Sequence, residues 1–103
     1  MSSQSPETKP ETAYYCYMVR CANGAFYTGW TTDPLRRLAE HNAGRGARYT
    51  RMHSPVELVY VEQVADHVSA LKREAEIKKI GHARKAALVA ANSLPEKWDR
   101  GIR

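Results

Sequence analysis

Three stretches of the chain are rich in β-forming residues, and three others repeat their apolar residues at helical spacing. The first two β-type stretches are YYCYMVRC (residues 14–21) and AFYTGWT (residues 25–31), separated by Ala22, Asn23 and Gly24. This is the signature of a hairpin. Asp33 and Pro34 follow, a good N-cap and a residue suited to the first helical position. A helix is predicted from there to about Asn42, with a core stripe of Leu35, Leu38 and Ala39 and a stop at Gly44. A basic loop comes next. After Pro55, VELVYVEQV (residues 56–64) predicts a third strand. Asp66 can cap a second helix reaching about Ile80. Gly81 breaks it, and a shorter Ala-rich helix runs to about Asn92. The order β-β-α-β-α-α predicts an α+β domain with a small antiparallel or mixed sheet. It spans residues 13–92, between a disordered N-terminal tail (1–12) and a C-terminal tail (93–103), from which Trp98 is expected to pack back on the body.

The hairpin admits two registers. A two-residue Asn23-Gly24 turn pairs Tyr17 with Trp30 and separates Tyr17 and Tyr27 onto opposite faces. A three-residue loop with Gly24 in the left-handed region pairs Tyr17 with Gly29 and Val19 with Tyr27. Both tyrosines then share a face, with a gap beside Tyr17. Propensity does not choose between them.

Composition narrows the class. A chain of 103 residues with 43% hydrophobic content is sized for one globular domain. No apolar run is long enough to span a bilayer, and MSSQSPETKPET does not read as a secretory signal. A cytoplasmic protein without membrane partners is expected. Cys16 and Cys21 are then expected to be reduced, structural thiols, since their spacing fits no zinc site. The net charge of +5 and pI near 9.4 suit a polyanionic partner, although a solvated basic face has the same composition.

Several residues could carry chemistry. Arg37 and His41 are one helical turn apart, displaced from the Leu35–Leu38 stripe; a fixed cation beside a titratable ring suits a phosphate. Glu74 lies between Ala70, Leu71 and Ile77 on its helical wheel, with Val68, Ala75 and Ile80 at the margins. A carboxylate there needs a partner: a divalent cation, or Lys78 at i+4. Arg45, Arg48, Tyr49 and Arg51 interleave basic and aromatic residues and could track a phosphate backbone. A second basic group, Lys72, Arg73, Lys78, Lys79, Arg84 and Lys85, fits a solvated helix surface equally well.

Tyr15-Cys16-Tyr17, followed by Tyr27-Thr28-Gly29, resembles the paired motifs of the GIY-YIG nucleases. The resemblance continues through DPLRRLAEHN (residues 33–42), GARYTR, VELVYVE and ALKREAEIKK, covering roughly residues 14–90. It is similar to the short, stand-alone (YhbQ-like) bacterial branch. The first motif departs from the pattern, reading Y-C-Y, but keeps its last Tyr. The resemblance implies a three-stranded sheet flanked by helices and favours the three-residue hairpin loop. It carries Tyr17 and Tyr27 to the motif tyrosines, Gly29 to the adjacent glycine, Arg37 to the helix arginine and Glu74 to the metal-binding carboxylate. His41 matches a position held by His or Tyr. Asn92 is too far downstream to be assigned to a site asparagine. The implied activity is metal-dependent endonucleolytic hydrolysis of DNA, or of RNA, directed at nucleic-acid structure and linked to repair or recombination. One Mg²⁺ or Mn²⁺ would be held on Glu74. The competing classes are a nucleic-acid-binding module with little or no catalysis, and an adaptor domain docking on an acidic protein.

Overall fold

The computed structural model describes residues 12–92 together with Leu94, Pro95 and Trp98. The predicted tails therefore lie almost wholly outside the described residues. Among the described residues seven elements follow one another: β1 (Tyr14–Arg20), β2 (Phe26–Thr31), α1 (Pro34–Asn42), α2 (Arg48–Met52), β3 (Glu57–Val64), α3 (His67–Lys79) and α4 (His82–Ala91). The sheet is wholly antiparallel, in the order β2-β1-β3. The one element missing from the sequence prediction is α2, a single helical turn within what reads as a basic loop.

The hairpin takes the three-residue loop. Tyr17 pairs with Gly29 and Val19 with Tyr27. The Cys21 amide donates to the Ala25 carbonyl, and the Gly24 amide to the Cys21 carbonyl, both at 2.8 Å. Gly24 has φ 88°, in the left-handed region where a side chain is strained. Tyr17 and Tyr27 thus share a sheet face.

The central strand β1 is buried on both sides. On one face Tyr17, Val19, Cys21, Leu58 and Val56 pack with Leu38 of α1. On the other, Cys16, Met18, Val59 and Tyr60 pack with Ile77 of α3, backed by Leu88 and Val89 of α4. Both cysteines are free and buried. Trp98 does pack back on the body, its ring edge-on to Tyr15 at 5.5 Å.

The caps are those expected. Asp33 accepts from the Arg36 amide at 3.2 Å, and Asp66 from the Ser69 amide at 2.8 Å. At the other end of α1, the Asn42 amide group pairs twice with Val56: Val56 N–H donates to Oδ1 at 2.7 Å, and Nδ2 donates to the Val56 carbonyl at 3.0 Å. This ladder-like clamp fixes α1 against the start of β3.

Two predicted apolar stripes need correction. On α1 the buried residues are Pro34, Leu38 and His41, while Ala39 is exposed. On α3 only Ala70 and Ile77 are buried; Val68, Leu71 and Ala75 are exposed. The sheet is too narrow to cover the whole stripe, and Glu74 lies at its half-covered margin.

Nothing lies within 4 Å of a Cβ placed on Gly24, so a substitution there tests backbone strain alone. Gly24→Ala is expected to lower stability by about 1 kcal/mol, the usual cost of a left-handed alanine. Gly24→Asn, which tolerates this region, should lose less. Urea unfolding of both variants checks the ordering.

Candidate active site

The site is built around a tyrosine in the middle of the sheet. Tyr17 is only 2% exposed. A Cβ placed on Gly29 would sit 2.7 Å from the Tyr17 hydroxyl and 2.9 Å from Cζ. Tyr17 therefore lies across β2 in space that only glycine leaves free. Its phenol oxygen is 2.8 Å from Nε2 of His41. His41 is fully buried, and its Nδ1 lies 2.8 Å from the Thr50 hydroxyl. The Tyr27 ring meets the His41 ring edge-on at 5.5 Å.

Arg37 flanks the pair. Its charge acts on the Tyr17 phenol, and it donates from Nη1 to Glu40 at 2.9 Å. The Arg37–His41 face, read as displaced from the Leu35–Leu38 stripe, points its histidine into the core. A histidine at i+3 from Leu38 falls within the inner stripe, and its ring nitrogens find partners there.

Glu74 stands on α3, which packs on the opposite, Cys16–Met18 face of the sheet. Its charge acts on both the Tyr17 phenol and the Cys16 thiol. Among the described residues no hydrogen bond joins it to Tyr17, Tyr27, Arg37 or His41. Its partner is Lys78, with Nζ 2.8 Å from Oε2. The Glu74 side chain is 18% exposed and that of Lys78 51%, so the pair opens to solvent on the lysine side. Among the described residues no cluster of three or more His, Cys, Asp or Glu side chains could hold a metal ion. The donor set is thus one carboxylate with one oxygen outside the Lys78 contact. That fits a hard divalent ion that keeps most of its waters, and does not fit zinc.

Electrostatics set the resting protonation. Burial pushes the Tyr17 phenol up to about 12, against the pull of Arg37. Burial, then the Arg37 charge, pushes His41 down to about 4. Both groups are neutral at neutral pH. The Glu74 carboxylate holds the Lys78 ammonium above its usual range.

The predicted backbone-tracking residues Arg45, Arg48, Tyr49 and Arg51 are all exposed, on the loop before α2 and on α2 itself. Among the described residues none of the three arginines is in an ion pair. Tyr49 accepts from Asn23 Nδ2 at 3.1 Å and tilts against His53, with ring centroids 4.5 Å apart. The second basic group divides. Arg73 is held by Glu62 and Glu76 at 2.9 and 3.1 Å, so it serves the fold. Asn92 donates to the Leu88 carbonyl at 2.8 Å and caps α4. Thr50 is the site residue that the sequence reading missed. Its signal would have been helical phase, but α2 was read as loop.

A two-tyrosine hairpin, a helix presenting arginine and histidine, and a carboxylate from a later helix define the GIY-YIG class of nuclease domain. The chain belongs to this family: the GIY-YIG catalytic domain matches over residues 13–86. It is 49% identical over 77 residues to a UPF0213 protein of Natronomonas pharaonis, covering 75% of this chain and 91% of that one. It is 49% identical over 90 residues to a UPF0213 protein of Desulfotalea psychrophila, covering 86% and 81%. Among solved structures it is similar to the solution NMR structure of a UPF0213 protein from Bacillus halodurans, at 36% identity and a TM-score of 0.52 over 81% of this chain and 88% of that one. A second NMR structure, of a protein from E. faecalis, matches at 37% identity and a TM-score of 0.54 over 82% and 90%. The family is one of nucleases, so nucleic acid is the substrate class that it implies. Among the described residues no helix is long and apolar enough to cross a membrane.

The low histidine pKa has a stability consequence. The folded value of about 4 lies below the unfolded value of about 6.5, so the unfolded chain takes up the proton first. The contribution of His41 is complete above about pH 6.5 and is lost as pH falls through that window towards 4. Urea midpoints should therefore fall more between pH 6.5 and 4 in the wild type than in His41→Gln. Equal falls would show that His41 titrates normally.

Proposed function

We propose that this chain is a divalent-metal-dependent endonuclease that hydrolyses phosphodiester bonds, in DNA rather than RNA, with substrates chosen by nucleic-acid structure as in repair or recombination. The observation that carries the reading is the buried Tyr17 phenol oxygen, 2.8 Å from Nε2 of His41, with the Arg37 charge acting on the same phenol. A general base needs somewhere to send its proton and a charge to steady the oxyanion left behind, and Tyr17 has both.

Cleaving a phosphodiester requires a deprotonated nucleophile, charge neutralisation at phosphorus and help for the leaving oxygen. Tyr17 takes the proton of the attacking water as its own passes to Nε2 of His41. Arg37 turns its fork from Glu40 to the phosphate, where it neutralises the pentacovalent centre. Tyr27, edge-on to His41, orients the water or a phosphate oxygen. Glu74 would hold one Mg²⁺ or Mn²⁺, which when bound would supply charge neutralisation at phosphorus and for the leaving oxygen, an alkoxide that then takes its proton from solvent. Lys78, released from Glu74, would then be free to contact the backbone. Arg45, Arg48, Tyr49 and Arg51 would track the flanking strand, since three exposed arginines without protein carboxylates favour phosphate partners. DNA is the favoured polymer, with RNA as the other arm of the test.

Arg37→Ala and Glu74→Gln are expected to keep the fold and to lose cleavage by at least about 10²-fold, as for a lost transition-state charge contact. A Mg²⁺-dependent nicking assay on linear, branched and single-stranded DNA and RNA, with circular dichroism of each variant, checks this. Wild-type binding without cleavage across all substrates would instead identify a binding module.

A further inference from the structure

One buried polar chain is directional. The Thr50 oxygen lies 2.8 Å from the Ala47 carbonyl. A carbonyl only accepts, so the single hydroxyl proton of Thr50 is committed to Ala47. The Thr50 oxygen must then accept from its other neighbour, Nδ1 of His41, at 2.8 Å. Nδ1 therefore carries the ring proton. A neutral imidazole has one N–H, so Nε2 presents a lone pair, and the Tyr17 hydroxyl at 2.8 Å donates to it. The order Tyr17 to His41 to Thr50 to Ala47 runs one way only.

The surroundings hold this order in place. His41 and Thr50 are both 0% exposed, so no bulk water competes for Nδ1. The loop before α2 closes over the ring: a Cβ on Gly46 would fall 2.1 Å from Nδ1 and 2.8 Å from the His41 Cα. Only glycine allows that approach, and it brings Thr50 into register. The same five-residue helix that turns Thr50 inward turns Arg48, Tyr49 and Arg51 outward.

We propose that Thr50 is a positioning residue of the site, fixing His41 as the Nδ1–H tautomer so that Nε2 is always ready to receive the Tyr17 proton. Without its acceptor, Nδ1–H would be buried and unsatisfied, and the Nε2–H tautomer would gain population. That form points an N–H at the Tyr17 oxygen and blocks transfer. α2 thereby joins two duties, with phosphate-facing arginines outside and the histidine-setting hydroxyl inside. The role in turnover rests on the nuclease reading; the tautomer does not.

Two measurements on the full chain test it. Nitrogen-15 NMR of the histidine rings, with His41 assigned by the signals lost in His41→Gln, should show the Nδ1–H form in the wild type and in Thr50→Ser. In Thr50→Val, nearly the same size but without the hydroxyl, the Nε2–H form should rise. Cleavage of a branched DNA duplex with Mg²⁺ should lose roughly 10-fold or more in kcat in Thr50→Val, as when a catalytic histidine loses the partner setting its tautomer. KM should stay within about 3-fold, and Thr50→Ser should restore kcat. An Nε2–H tautomer in the wild type would overturn the proposal even if Thr50→Val failed to fold. So would a Thr50→Val protein with wild-type kcat. A wild-type chain with the expected tautomer that cleaves none of the substrates would overturn the nuclease reading and the role in turnover, leaving the tautomer assignment standing.

Discussion

The bond between the Tyr17 hydroxyl and Nε2 of His41 organises this molecule. It is 2.8 Å long and buried, and it joins the central strand to α1. Much of the local architecture follows from accommodating it. The three-residue hairpin loop places Gly29, and no larger residue, opposite Tyr17. The Asn42–Val56 clamp anchors α1 at the depth where His41 meets the phenol. Gly46 lets the next loop close over the imidazole. A buried polar pair left half-satisfied would cost more than an apolar one, so the chain supplies Thr50 at the His41 end.

The resting electrostatics are those of a site waiting for charge. Tyr17 and His41 are both neutral, pushed apart by burial to about 12 and about 4. The two candidate charges are held by protein partners, Arg37 by Glu40 and Glu74 by Lys78. These pairs are partly exposed and one helical turn long, so they are weak contacts that can be exchanged. A phosphate would draw Arg37 away, and a hard cation would draw Glu74 away, both at low cost. Arg73 lies elsewhere: its contact with Glu62 joins α3 to β3, and Glu76 meets it within α3.

Much of this was legible in the residues. Strand and helix bounds followed from turn and cap chemistry, because Asp33, Pro34, Asp66 and Gly81 act locally. Arg37, His41 and Glu74 stood out by their helical positions, and the resemblance to the GIY-YIG nucleases joined Tyr17 and Tyr27 to them as candidates. The hairpin register could not be chosen from propensity, because both loops satisfy the same local rules; it turns on whether Tyr17 can lie over Gly29, a contact across strands. The depth of His41 is not legible because a helical wheel shows direction and not how far a neighbouring layer extends. The same limit made Leu71 and Val68 look internal. Thr50 was missed because α2 is one turn long, too short to show a period, and because its partner is nine residues away.

The central claim is that Glu74 and Tyr17 serve one phosphodiester site although they arrive from opposite faces of the sheet. Crystals soaked with Mn²⁺ test this most directly through anomalous scattering. The account predicts a single peak at the Glu74 carboxylate, with Lys78 displaced and the ion on the side facing the Tyr17 hydroxyl. An undisturbed Glu74–Lys78 pair, with manganese bound elsewhere or not at all, would contradict it.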